Sequence, residues 1–163
     1  MKSTRKKSIS SRRSFGFSLP ELIVSVSIIG TLSAIAIPSY VGQLCRSESS
    51  EAESTIGTIQ AVISAYIDET GAFPKTWDDI SSITAIMTNS GIATGALSNP
   101  ITLPNQNYKL TVNGPTNSLY EMIAERTKGC EKRNIRACLD VSSGASDQKR
   151  GDGNADAKTP ICS

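Results

Sequence analysis

Histidine is absent from all 163 residues. Its absence removes the commonest general base and the commonest nitrogen ligand for a metal. Serine, cysteine and aspartate are plentiful, but without imidazole no nucleophile–base pair can be named among them. The chain is therefore read as non-enzymatic, with no cofactor. Charge is missing in two places. No acid occurs in residues 1–16, and no charged residue of either sign occurs from Leu22 to Cys45. There is also no internal repeat, which excludes a solenoid.

What the gaps leave is an asymmetric chain. Residues 1–16 hold Lys2, Arg5, Lys6, Lys7, Arg12 and Arg13, six of the 17 basic residues and none of the 15 acids, so the remainder is net −4. The formal charge of +2 belongs to this leader and is no argument for nucleic-acid binding by the rest. After it comes Phe17-Ser18-Leu19-Pro20-Glu21-Leu22-Ile23-Val24, then an apolar run through Pro38. A helix of about 20 apolar residues at 1.5 Å each spans a bilayer, and a basic leader before it sets the N-terminus on the cytoplasmic side. Glu21 is the anomaly. An acid at the edge of an apolar span marks a functional position whose partner should be named.

Gly16-Phe17-Ser18-Leu19-Pro20-Glu21 resembles the prepilin processing motif of type IV pilins and of type II secretion pseudopilins. The resemblance implies cleavage between Gly16 and Phe17 by a membrane prepilin peptidase, N-methylation of Phe17, and an assembly role for Phe17 and Glu21. The new ammonium of Phe17 and the Glu21 carboxylate would pair within an apolar filament core, since either one alone would be a costly buried charge. A bland alternative for Glu21 is a carboxylate favoured by the helix dipole. Gly30 and Pro38 fall where the family carries a loosening glycine and a kinking proline. Pro20 departs from the usual branched aliphatic residue, harmlessly, because a first-turn N–H has no helical partner.

A rival reading exists for the same segment. Ser11-Arg12-Arg13-Ser14-Phe15 resembles a twin-arginine signal, with Ala34-Ile35-Ala36 as its cleavage site. It would make a soluble exported binding protein starting near Ile37. Glu21 inside the apolar stretch opposes it, as does the helical pattern running on past Pro38.

Beyond Pro38 a helical period continues through Val41, Leu44, Cys45, Ala52, Ile56, Ile59, Ile63 and Tyr66, to a stop at Gly71 and Pro74. Phe73 and Trp77 are expected as packing anchors in a connector over 73–80. A short helix is expected over Ser81–Ser90, with Ile80, Ile83 and Ile86–Met87 inward, and loop over Gly91–Gln106. Tyr108–Val112 and Leu119–Ala124 alternate as strands about a turn at Asn113–Ser118, and Cys138–Val141 is a third strand. Residues 142–163 read as irregular. The expected fold class is α+β: a long N-terminal α-helix, half membrane-spanning and half amphipathic, packed against a small antiparallel β-sheet. The expected domains are a cleaved leader 1–16, a hydrophobic helix 17–40, and a globular part 41–163 comprising an amphipathic helix 41–70 and sheet and loops 71–163.

The four cysteines Cys45, Cys130, Cys138 and Cys162 suggest disulfides in an oxidising compartment. Three pairings are open, with at least one bridge expected from Gly129 onward. Asp152-Gly-Asn154-Ala-Asp156 places oxygen ligands at alternate positions, as calcium loops do, but lacks the following glycine and the closing glutamate, so a polar loop is preferred. Arg126, Lys128, Lys132, Arg133 and Arg136 form one basic cluster. It could meet a phosphate backbone, yet no aromatic residue is interleaved to stack bases, which favours a solvated loop. The resulting expectation is a pilin or minor pilin, with a type II pseudopilin as alternative. It would be held in the inner membrane, then assembled with other pilin subunits into an extracellular filament by inner-membrane pilus machinery.

Overall fold

The computed structural model describes residues 16–162. The basic leader and the twin-arginine stretch, apart from Gly16, lie outside the described residues. Helix α1 runs Leu19–Thr70, 52 residues, with Pro38 inside it. It ends where Gly71 turns to φ +69° and donates its N–H to Ile67 O at 2.8 Å, a left-handed cap that a side chain would disfavour. The described residues divide at Val41–Gly42 into two units, each described by itself.

In the first unit the outward residues of α1 are apolar. Leu22, Ile23, Val26, Ile29, Leu32 and Ile35 are all more than half exposed. Three hydroxyls in this stretch bond back to their own helix: Ser25 Oγ to Glu21 O, Ser27 Oγ to Ile23 O and Thr31 Oγ1 to Ile28 O, at 2.8–2.9 Å. A hydroxyl satisfied in this way is no orphan donor in an apolar solvent. By length and composition α1 is able to cross a membrane.

In the second unit a buried stripe on α1, Ala52, Ile56, Ile59, Val62 and Ile63, forms one core with a five-stranded antiparallel sheet. The strands are β3 (Ile101–Thr102), β4 (Tyr108–Thr116), β5 (Leu119–Arg126), β6 (Ile135–Asp140) and β7 (Ala145–Arg150), in that order. Two short strands, β1 (Met87–Thr88) and β2 (Gly91–Ile92), pair separately. Alternation places Tyr108, Leu110 and Val112, then Tyr120, Met122 and Ala124, then Ile135, Ala137 and Leu139 on the core face, each buried. Burying an aliphatic or aromatic side chain of this size contributes about 1.5–3 kcal/mol, and the helix stripe supplies the apolar partner that this sheet needs.

Several expectations are corrected. The short helix α2 is Trp77–Ile83, not Ser81–Ser90. Thr76 caps it, its hydroxyl accepting from Asp79 N at 3.1 Å while Asp79 Oδ2 accepts from Thr76 N at 2.9 Å. That reciprocal box starts the helix four residues early. Trp77 is fully buried, whereas Phe73 is 45% exposed and anchors nothing; Ile86 is buried but Met87 is exposed. Val41 and Leu44 also stand exposed, and the stripe begins at Cys45 and Ser49 instead. Gly91–Gln106 contains β2 and β3 rather than loop alone. β4 extends to Thr116, leaving a two-residue turn at Asn117–Ser118 with φ of 48° and 70°. The third expected strand begins at Ile135. Within the stretch read as irregular, Ala145–Arg150 is the fifth strand of the sheet, the edge strand β7, in register with all of β6. Its polar, charged sequence suits an edge that must discourage further pairing.

Candidate functional site

Gly16, Phe17 and Ser18 precede α1 in non-helical backbone. Ser18 is the N-cap: its carbonyl accepts from Leu22 N at 3.1 Å, and its own N–H donates to Glu21 Oε2 at 3.4 Å. Glu21 is thereby the third helical residue and the return half of a capping box, while Pro20 occupies a position whose missing donor costs nothing. The side chain of Phe17 is 78% exposed. A Cβ placed on Gly16 or on Gly30 would meet nothing within 4 Å. The fold of this chain thus requires glycine at neither place, and a glycine within a helix costs up to about 1 kcal/mol against alanine. The arrangement presents, in order, an unencumbered peptide bond, an exposed aromatic residue, a carboxylate at a helix start and an uncovered apolar surface.

The cysteines are bridged Cys45–Cys130 and Cys138–Cys162, with Cα–Cα distances of 5.8 and 6.0 Å. The first joins α1 to the loop between β5 and β6; the second joins β6 to the segment that follows β7. A polar latch that the sequence reading missed reinforces the first. Arg126, at the end of β5, pairs with Glu48 of α1, lies with Cζ 5.0 Å from the Tyr108 ring centroid, and donates Nε to Lys128 O and Gly129 O at 2.9 and 3.2 Å. Burial opposes the charge on Arg126, but the hydrogen bonds to Glu48 and Tyr108 win and hold its pKa above the ordinary guanidinium value. Asn107 Nδ2 supplies a further bond to Glu48 Oε1 at 2.9 Å. The available signal was Glu48 sitting beside the buried stripe, three residues after Cys45.

The basic cluster stays largely together: Arg126, Lys128, Lys132 and Arg136 line one cleft. Arg126 is engaged in the latch through Nε and Nη2, while its Nη1 is buried without a partner among the described residues. Lys132 Nζ donates to Asn154 O at 3.0 Å, and Arg136 points from the sheet face opposite the core. In the calcium candidate over 152–156, Asp152 Oδ1 accepts from Asn154 N and Ala155 N at 2.7 and 2.8 Å. Those two amides, Ala155 first, hold its carboxyl below the usual carboxylate range. Among the described residues no three His, Cys, Asp or Glu side chains are grouped so as to hold a metal ion.

The family described as the prokaryotic N-terminal methylation motif matches residues 11–37. Among curated proteins, the chain is 41% identical over 59 residues to the fimbrial protein EcpC of Eikenella corrodens, covering 36% of this chain and 39% of that protein. It is 39% identical over 57 residues to the type IV major pilin protein PilA of Myxococcus xanthus, covering 35% and 26%. It is 42% identical over 52 residues to a type IV major fimbrial protein FimA of Dichelobacter nodosus, covering 32% and 33%. The likeness thus spans well under half the length of each relative. No solved structure matches the chain.

Proposed function

We propose that this chain, which carries the N-terminal segment of the type IV pilin family, is a structural pilin or minor pilin. In this reading it is held in the inner membrane by the apolar half of α1, N-terminus cytoplasmic, and is then assembled with other pilin subunits into an extracellular filament. The observation that carries the reading is the conjunction at the start of α1. Gly16 is a glycine for which the fold has no use, and it stands directly before an exposed Phe17, a helix-start Glu21 and an uncovered apolar helix. Each is wasteful in a self-contained domain. Each makes sense when other proteins act on it: a prepilin peptidase that needs an unbranched residue before the cut, and neighbouring subunits that cover the helix. The domains follow the same logic, with 1–16 removed, 17–40 shared between bilayer and filament core, and 41–163 the globular part.

The twin-arginine alternative is not favoured, because the methylation-motif match extends through Ile37 and α1 continues without interruption past the cleavage site that alternative needs. The relatives are fimbrial proteins, which favours a pilus over a pseudopilus. The test is the intact mass of the exported protein, which should correspond to a chain starting at N-methylated Phe17. A start at Ile37, or an uncut leader, would overturn the reading, as would absence of the protein from sheared surface filaments.

A further inference from the structure

Arg136 stands on β6 between Ile135 and Ala137, which face the core, so its side chain leaves from the opposite face of the sheet. There it lines a cleft of about 550 Å³ with Lys128, Lys132, Asn134, Glu125 and Asp156. Arg136 Nε is buried and has no hydrogen-bond acceptor among the described residues. Among the same residues the ion pairs are Arg126–Glu48, Lys149–Asp147 and Arg150–Glu53, so neither Arg136, Lys128 nor Lys132 is neutralised by a carboxylate. A desolvated guanidinium N–H lacking an acceptor is unfavourable, and pairing of β6 on both sides fixes the backbone from which this arginine projects. The group that would satisfy it must accept, be anionic and be compact. A planar guanidinium with two lysines lining the same cleft, Lys132 also donating to Asn154 O, matches a tetrahedral oxyanion. Glu125, Glu131 and Asp156 border the same cleft. They keep its potential mixed, which suits one anionic group held at close range and opposes a long polyanion.

We propose that this cleft binds a single oxyanion, a phosphate or sulfate group, either free or as the terminal group of a small molecule, with Arg136 as its directional contact and Lys128 and Lys132 as its charge partners. The experiment uses the full chain in micelles of an uncharged detergent at constant ionic strength. Inorganic phosphate is titrated in while the arginine Nε–H resonance of Arg136 and the backbone amides of Lys132 and Asn134 are followed. The expected result is a saturable shift at these three positions. It should weaken by about tenfold in Arg136→Gln, as loss of one charge-assisted pair implies, and weaken less in Lys128→Gln or Lys132→Gln. Arg136→Lys, which keeps the charge and loses the fork, should fall between, and serves if the glutamine variant melts early. Lys75→Gln, next to Pro74 whose carbonyl accepts from Tyr120 at the far end of β5 from the cleft, should leave the titration unchanged. A linear, non-saturating drift, or equal weakening by Lys75→Gln, would overturn the site. A sugar monophosphate binding more tightly than inorganic phosphate would identify a carried group; equal binding would identify the free anion. A short single-stranded oligonucleotide binding about tenfold tighter per phosphate, with steep salt dependence, would overturn the single-group assignment.

Discussion

Arg126 and Glu48, 78 residues apart in sequence, form an ion pair in which the arginine side chain is only 8% exposed and the glutamate 19%. The pair closes the open end of β5 onto α1 within a few residues of the Cys45–Cys130 bridge. Removing one partner leaves the other charge poorly solvated, a loss of roughly 3 kcal/mol for a largely buried pair. Arg126→Met should therefore lower the thermal midpoint clearly, while the exposed pair Lys149–Asp147 should matter little when broken. Differential scanning calorimetry of both variants decides this. Equal effects would mean that the latch is only a surface pair.

The two disulfides should differ in weight. Cys45–Cys130 closes 85 residues and Cys138–Cys162 closes 24. Chain-entropy reasoning assigns about 4.5 kcal/mol to the longer loop and about 3.5 to the shorter. Paired serine variants of each bridge, unfolded in denaturant, should rank in that order. The reverse order would show that the first bridge constrains a loop already fixed by Arg126.

The cap of α2 offers a smaller effect. Thr76→Ala removes the hydroxyl that accepts from Asp79 N, and such losses cost about 0.5–2 kcal/mol. Hydrogen exchange should rise first in Trp77–Ile83, leaving the β4–β5 amides protected. Uniform acceleration would place the cap within the global unfolding unit instead.

How much of this was legible in the sequence depends on which interaction decides each element. The helix stripe and the strands around Tyr108 and Tyr120 follow from burial periodicity, which a sequence displays directly. β7 does not, because Ala-Ser-Asp-Gln-Lys-Arg has no strand preference of its own and is extended only through its register with β6. Phe73 and Trp77 look alike as anchors, yet only the second falls inside the capped turn that faces the core. Arg126 reads as one of five clustered cations until Glu48 arrives from across the fold. At the candidate site the residue types were legible, whereas the lack of any use for Gly16 and Gly30 within the fold, and the Ser18–Glu21 cap, required coordinates.

Acid should loosen the β6–β7 end. The hydroxyl of Ser142, then that of Ser118, donate to the Asp140 carboxylate and depress its pKa. The N–H of Ile161, then the Lys149 side chain, do the same for Asp147. A group whose folded pKa lies below its unfolded value contributes stability that is complete above the unfolded value, near pH 4 for aspartate, and is lost as pH falls toward the folded one. Stability should thus be flat with respect to these residues from neutrality to about pH 5 and decline below it. Asp140→Asn should flatten the decline. An unchanged acid limb in that variant would remove Asp140 from the account.

Glu21 separates capping from assembly, and the structure supplies the control. The carboxylate accepts the Ser18 N–H at 3.4 Å, a bond that a glutamine oxygen can also accept. Glu21→Gln therefore keeps this cap bond and discards the charge, whereas Glu21→Ala discards both. Neither change makes the apolar segment harder to insert, since removing a carboxylate lowers the cost of placing it in hydrocarbon. If Glu21 acts as counter-charge to the ammonium of a mature Phe17, both variants should be processed after Gly16, reach the membrane in normal amounts and be depleted from filaments alike. An unpaired buried charge costs roughly 3–5 kcal/mol, enough to exclude mutant subunits in competition with wild type. If Glu21 only caps the helix, Gln should assemble like wild type and only Ala should fall behind, by the modest margin of a lost cap. Co-expression of each variant with wild type, followed by quantitative mass spectrometry of sheared filaments against the membrane fraction, distinguishes the two. Normal incorporation of Glu21→Gln would end the charge-pairing role assigned to this residue.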